Sequence, residues 1–251
     1  MAIVIFFVTI IVMSILYYRM TRRDVPTPIG KTQAIVPILL GIVSMVLSFG
    51  FFMLFAWIMK QTGFSTTNLP LYVRSLFGAF LQAGLPEELA KLLMILLSLR
   101  LFKSKVTNVY EYILIGAAVG FGFTLFEEIL YSSGASVIVR IIGVAVHSVI
   151  NMLMAKHLGI AKNNKINQKG SVGLHYVLAI VVPVLIHTCY DACTSNNMYL
   201  NEDVVKGSEE LLLFGFILGL AAFVFSIVLQ VVVLLKVKKN AEAYCNMKTV
   251  Q

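Results

Sequence analysis

The sequence predicts an all-α protein: a polytopic transmembrane helix bundle of about seven spans plus an interfacial or re-entrant helix. Three observations predict it. Of 251 residues, 59% are hydrophobic and 13% charged, and the mean hydropathy is +0.90, which leaves too little polar surface for a water-soluble domain of this length. The apolar residues fall into runs of about 17–25, the length a bilayer requires. The basic residues gather on alternate loops between those runs.

The runs lie at about 2–18, 34–59, 86–102, 110–132, 136–157, 172–195 and 210–235. The first has no basic segment before it and is followed by Arg19, Arg22 and Arg23, so it reads as a retained span rather than a cleaved signal. The second runs from just after Lys31 to Lys60. Between it and the third lies LYVRSLFGAFLQAG, residues 71–84, with Leu71, Leu76, Phe77, Phe80 and Leu81 at roughly helical spacing. Joined to the third run it would be too long to cross once, so it is read as interfacial or partly re-entrant.

Pro86 opens the third run, where a first-turn proline loses no hydrogen bond. The fourth contains GAAVGFG, whose Gly116 and Gly120 have the small-xxx-small spacing that lets helices approach closely. Arg140 sits near the outer end of the fifth, from which it snorkels to the surface. Pro183 stands four residues before His187 in the sixth and kinks it there. The seventh ends in Lys236, Lys238 and Lys239. No linker, low-complexity tract or repeat divides the chain. It reads as one integral membrane domain over 1–251, with its core at 71–195 between flanking segments 1–60 and 209–251.

Charge sets the orientation. Arg19, Arg22, Arg23 and Lys31; Arg100, Lys103 and Lys105; Lys156, Lys162, Lys165 and Lys169; and Lys236, Lys238, Lys239 and Lys248 all fall on one side of a seven-span arrangement. The other side holds Lys60, Arg74 and Lys206 with the acids Glu202, Asp203, Glu209 and Glu210. The N-terminus is therefore expected outside and the C-terminus in the cytoplasm. The formal charge of +8 is then a topology signal of the kind anionic lipid reinforces, and not a nucleic-acid footprint. Cys189, Cys193 and Cys245 cannot build a disulfide framework, and the first two read as small packing residues rather than metal ligands.

Within the spans remain Glu87, Glu88 and Lys91, Glu127 and Glu128, His147, and His187 with Asp191. A charge at a helix centre costs about 2.5–3.5 kcal/mol on insertion scales, so this many need each other or water. At about 1.5 Å rise per residue, all of them fall in the outer half of the bilayer, with His147 closest to the middle. His157 and His175 fall at the cytoplasmic ends, too far away to join. Lys91 is i+4 from Glu87 and i+3 from Glu88, so it can hold a carboxylate ionised. Asp191 is i+4 from His187 and can orient its imidazole. Glu127 and Glu128 point about 100° apart, so only one faces the centre squarely.

Four helices thus converge on one site. Glutamates and imidazoles can activate water, stabilise an oxyanion and protonate a leaving amine. The same groups can hold a divalent metal such as zinc, with Glu88, Glu127, His147 and His187 as candidate ligands; the residues leave the need for a cofactor open. H-E-x-x-H, G-x-S-x-G and a pair of membrane aspartates are all missing.

PEELAK at 86–91, GFGFTLFEEILY at 120–131, His147 and HTCYD at 187–191 resemble, in order, the motif series of the PrsW family of intramembrane proteases, which is related to the CAAX-protease and bacteriocin-processing group. The resemblance covers roughly residues 71–195. It implies an essential acid pair, Glu87 and Glu88, with Glu127, His147 and His187 completing the site. It also implies a bacterial cytoplasmic membrane and single-span membrane protein substrates, such as anti-sigma factors, cut near the outer face. Glu128 departs from the family pattern, which usually has Asn after the glutamate. Two other readings compete: a non-catalytic scaffold or receptor, and a proton-coupled transporter. Against the transporter stand the missing repeat symmetry and the lack of a polar path into the cytoplasmic half.

Overall fold

A computed structural model of the chain describes residues 2–23, 29–131 and 145–250. The helices are α1 (Ala2–Arg22), α2 (Lys31–Thr62), α3 (Leu71–Ala79), α4 (Leu85–Leu101), α5 (Val109–Tyr131), α6 (Val146–Ile166), α7 (Val172–Cys193), α8 (Glu202–Val205), α9 (Glu209–Lys239) and α10 (Ala241–Asn246). A π-helical turn, Phe80–Gly84, joins α3 to α4, and a 3-10 turn, Met198–Leu200, precedes α8. Among the described residues there is no strand, so the fold is all-α. Arg140 and the stretch 136–144 of the fifth expected span lie outside the described residues.

A helix stands at each of the seven expected runs. Among the described residues, four segments are long and apolar enough to cross a membrane: α2, Val109–Leu130 of α5, Val172–Leu200 with α7, and α9. The helix α4 has 17 residues, about 25 Å of rise, and α6 is more polar. The protein is an integral membrane protein.

Burial explains the layout. In the most apolar window of α5, 72% of residues are buried, against 22–28% in the other three crossing segments. The helix α5 is therefore the bundle's axis, packed against α6, α2, α1 and α4. Tyr110, Ile113, Leu114 and Ala118 of α5 are at most 1% exposed. Ile95, Val119, Met154 and Ala155 form a second core cluster between α4, α5 and α6. On the outer helices Met53, Trp57, Leu213 and Phe216 are exposed, which is the surface a bilayer covers.

The glycine spacing in α5 does what it predicts. A Cβ on Gly116 would collide with the backbone of Asn151, and one on Gly120 would lie 2.5 Å from Ser148 Cα and 2.6 Å from His147 O. The backbones of α5 and α6 therefore touch, and Ser148 Oγ donates to Ala117 O at 3.0 Å across that seam. This seam carries His147 to α5.

One feature differs from expectation. The segment 71–84 is not a separate helix, because the chain runs helically from Leu71 to Leu101 through the π turn. Pro86 therefore does not begin a helix: Gly84 before it is already right-handed helical, at φ −53° and ψ −49°. A proline inside a helix lacks a donor and crowds the carbonyl four residues back. The wider π turn, in which Leu85 N–H reaches back to Phe80 O, accommodates it. The C-terminal tail is docked against the bundle. Val109 N–H donates to Met247 O at 3.0 Å, Thr249 N–H to Thr107 O at 2.8 Å, and Asn163 Nδ2 to Lys248 O at 2.6 Å.

Candidate active site

The up-down path of four helices brings one end of each to a common level: the start of α4, the end of α5, the start of α6 and the end of α7. Glu87, Glu88 and Lys91 come from the first, Glu127 and Glu128 from the second, His147 from the third, and His187 and Asp191 from the fourth. Every residue that the sequence nominates is thus at one end of the bundle. His157 and His175 are at the other, paired through their Nδ1 atoms at 2.9 Å.

Lys91 is the centre of the cluster and is fully buried. Its Nζ lies 2.7 Å from Glu88 Oε1, 3.4 Å from Glu87 Oε2 and 3.2 Å from His147 Nδ1. A lysine ammonium carries three donors, and here three acceptors meet it. Glu88, 1% exposed, also faces His187 Nδ1 at 2.8 Å through the same Oε1. Its other oxygen, Oε2, is buried with no hydrogen-bond partner, as is Thr188 Oγ1.

His187 has a carboxylate on each nitrogen. Nδ1 meets Glu88, while Nε2 stands 3.4 Å from Asp191 Oδ2 and 3.7 Å from Glu87 Oε2. His147 Nε2 is 2.9 Å from Glu127 Oε2. Of the adjacent glutamates, Glu127 engages the imidazole at 23% side-chain exposure, whereas Glu128 is 3% exposed. The two imidazole rings meet edge to face, 5.2 Å apart at 70°. Glu87 and Asp191 are partly accessible, at 18% and 14%.

The close approach of α4 and α7 has a local cause. A Cβ on Gly84 would collide with Thr188 Oγ1 and lie 3.2 Å from Thr188 Cβ. Glycine at the last position of the π turn lets α7 press against α4 and seats His187 on Glu88.

Glu87, His147 and His187 offer ligand atoms all within 4.8 Å of one another. This trio differs from the ligand candidates suggested by the sequence, which took Glu88 and Glu127 instead of Glu87. Glu88 Oε1 is shared by Lys91 and His187, and Glu127 is turned to His147, which leaves Glu87 as the carboxylate between the imidazoles. Each histidine of the trio is backed by another carboxylate, Glu88 on His187 and Glu127 on His147. Such carboxylate support is what orients metal-bound imidazoles. By donor type, spacing and support, the trio fits a zinc-like ion once Lys91 Nζ gives up His147 Nδ1, the nitrogen that Glu127 leaves for a metal.

Sequence reasoning missed three features. Phe123 touches the site: Lys91 Nζ is 3.9 Å from its ring centroid, and the His147 ring is 4.9 Å away. The signal available was its i, i+4 spacing to Glu127. The Lys91–His147 contact, 56 residues apart in the chain, had no local signal. Gly84, three residues before Glu87, had only the weak signal of an isolated glycine before a proline.

In class, this is an all-α integral membrane protein with a buried carboxylate–imidazole centre closed around a lysine. The profile of the PrsW family of intramembrane metalloproteases matches residues 31–206, and the chain belongs to that family. It is 32% identical over 121 residues to the protease PrsW of Bacillus subtilis (strain 168), a match covering 47% of this chain and 54% of that relative. The match thus spans about half the length of the curated relative. No solved structure matches.

Proposed function

We propose that the protein is an intramembrane endopeptidase that hydrolyses a peptide bond of a membrane-anchored protein near the extracytoplasmic face. The observation that carries this reading is the convergence of Glu87, Glu88, Glu127, His147 and His187 from four helices around one buried lysine. Family membership supports it. The depth of these groups, read from the sequence, supports a cut in the outer half of the bilayer. Single-span proteins are the proposed substrates, with regulatory, anti-sigma-factor-like proteins as the favoured class, in a cytoplasmic membrane with the N-terminus outside.

Glu87, His147 and His187 are the residues that would hold a divalent metal. When bound, such an ion supplies Lewis-acid polarisation of a carbonyl and acidifies water. Glu127, partly accessible and hydrogen-bonded to His147, accepts a proton from water as the oxygen attacks the carbonyl carbon. The same proton passes to the amine nitrogen as the C–N bond breaks. Lys91, fully buried in the cluster, places positive potential beside the carbonyl oxygen as it gains charge. Glu88, whose Oε1 is shared by Lys91 and His187, holds the imidazole rather than reacting.

The test compares cells carrying wild-type protein with cells carrying Glu87→Gln plus Glu88→Gln, matched for membrane abundance. Quantitative proteomics then looks for single-span proteins that lose their ectodomain. A substrate cut only by wild type supports the reading. Unchanged processing of every candidate, with both proteins folded, would sink it in favour of a non-catalytic scaffold.

A further inference from the structure

Phe123 is fully buried on α5, one turn before Glu127. It touches two members of the site at once: the Lys91 ammonium lies 3.9 Å from its ring centroid, and the His147 imidazole lies 4.9 Å from it at 55°. The ammonium's three protons have their acceptors in Glu88, Glu87 and His147. The face of this ring lies against the same ammonium. The face of an aromatic ring is negative and attracts a cation, most strongly where water is excluded; an aliphatic side chain of equal bulk would exclude water without attracting.

We infer that Phe123 is a positioning residue: its π face lines the Lys91 ammonium site and, through Lys91 and His147, it fixes the spacing of Glu87, Glu88 and His147. For its effect on turnover this rests on the protease reading above. Its physical basis does not.

Fluorination of the ring drains charge from its face with little change of shape. Full-length protein carrying phenylalanine with one, three or five fluorines at position 123 is purified in detergent, and its thermal unfolding is followed. Phe121, on the same helix but packed on Tyr17 with ring centroids 6.5 Å apart, takes the same series as a control for altered hydrophobicity. At position 123, Tm falls stepwise with fluorine number, by roughly 2–6 °C over the series, and at position 121 it stays level. In the Lys91→Met plus Glu88→Gln background, which removes the cation together with its closest anion, the slope at position 123 disappears. A slope at 123 no steeper than at 121 overturns the inference, whether or not that background folds. An equal slope with and without Lys91 overturns it as well. In the cleavage assay, turnover survives Phe123→Tyr and is lost in Phe123→Leu; equal turnover in the two would count against it. If wild type yields no product at all, the protease reading fails, and the melting slopes still decide the role of the ring.

Discussion

Lys91 Nζ lies 2.7 Å from Glu88 Oε1, with the lysine side chain fully shut off from solvent and the glutamate 1% exposed. Removing one partner of a buried pair leaves an uncompensated charge, which costs about 3–5 kcal/mol. Lys91→Met is therefore expected to lower stability by about that much. Adding Glu88→Gln should restore part of it, with a coupling of about 1–3 kcal/mol in a double-mutant cycle. Unfolding in detergent micelles measures all four corners of the cycle. Strictly additive effects would mean that the two charges do not depend on each other.

Glycine positions two of the site's helix contacts. In Gly120→Ala the new Cβ meets the backbone of α6 at 2.5–2.6 Å, and neither backbone can yield cheaply. The expected loss is about 1–3 kcal/mol, with reduced processing because α6 carries His147 away from Glu127. Gly84→Ala should act likewise through Thr188 and His187. Gly173→Ala, with nothing within 4 Å, serves as a control and should melt and cleave like wild type. Normal turnover in Gly120→Ala would show that the seam need not be tight.

Metal analysis of purified protein tests the donor trio directly. Wild type is expected to retain about one zinc-like ion per chain. Glu87→Gln, His147→Ala and His187→Ala should each lose it, while His157→Ala, in the pair at the far end of the bundle, should keep it. Metal-free wild type that still cleaves would refute the role proposed for the trio.

The adjacent glutamates are expected to separate cleanly. Glu127 contacts His147, so Glu127→Gln should reduce cleavage by roughly 100-fold or more. Glu128→Asn restores the residue usual in the family and should leave cleavage close to wild type. Rates of product formation in membranes matched for abundance compare the two. Loss of activity in Glu128→Asn would assign the second acid a part in the reaction.

Much of this was legible before any fold was known. Hydropathy placed the ends of six of the seven runs within about four residues, while the fifth run stopped nine residues short of Ile166, and the family motifs contain the acids and histidines that cluster around Lys91. Helix rise is constant, so depth along a span is a local property that counting residues recovers. Gly116 and Gly120 were readable for the same reason, since their spacing alone places them on one face. The continuous path from α3 through the π turn into α4 was not readable. Hydropathy does not distinguish a helix that stops before Pro86 from one that widens to pass it.

By itself, then, the sequence determined the class, the helices, and the set of acids, histidines and lysine held at one depth. Only the tertiary structure decided who touches whom: that Lys91 reaches His147, that Glu88 rather than Glu87 grips it most closely, that Glu127 and not Glu128 meets the imidazole, and that Phe123 lines the Lys91 site. The physical reason is rotational. Rise per residue is set by backbone hydrogen bonds within each helix, but the direction in which each helix faces is set by packing against its neighbours. Here that packing is governed by contacts such as Gly120 on Ser148 and Gly84 on Thr188, between residues distant in the chain.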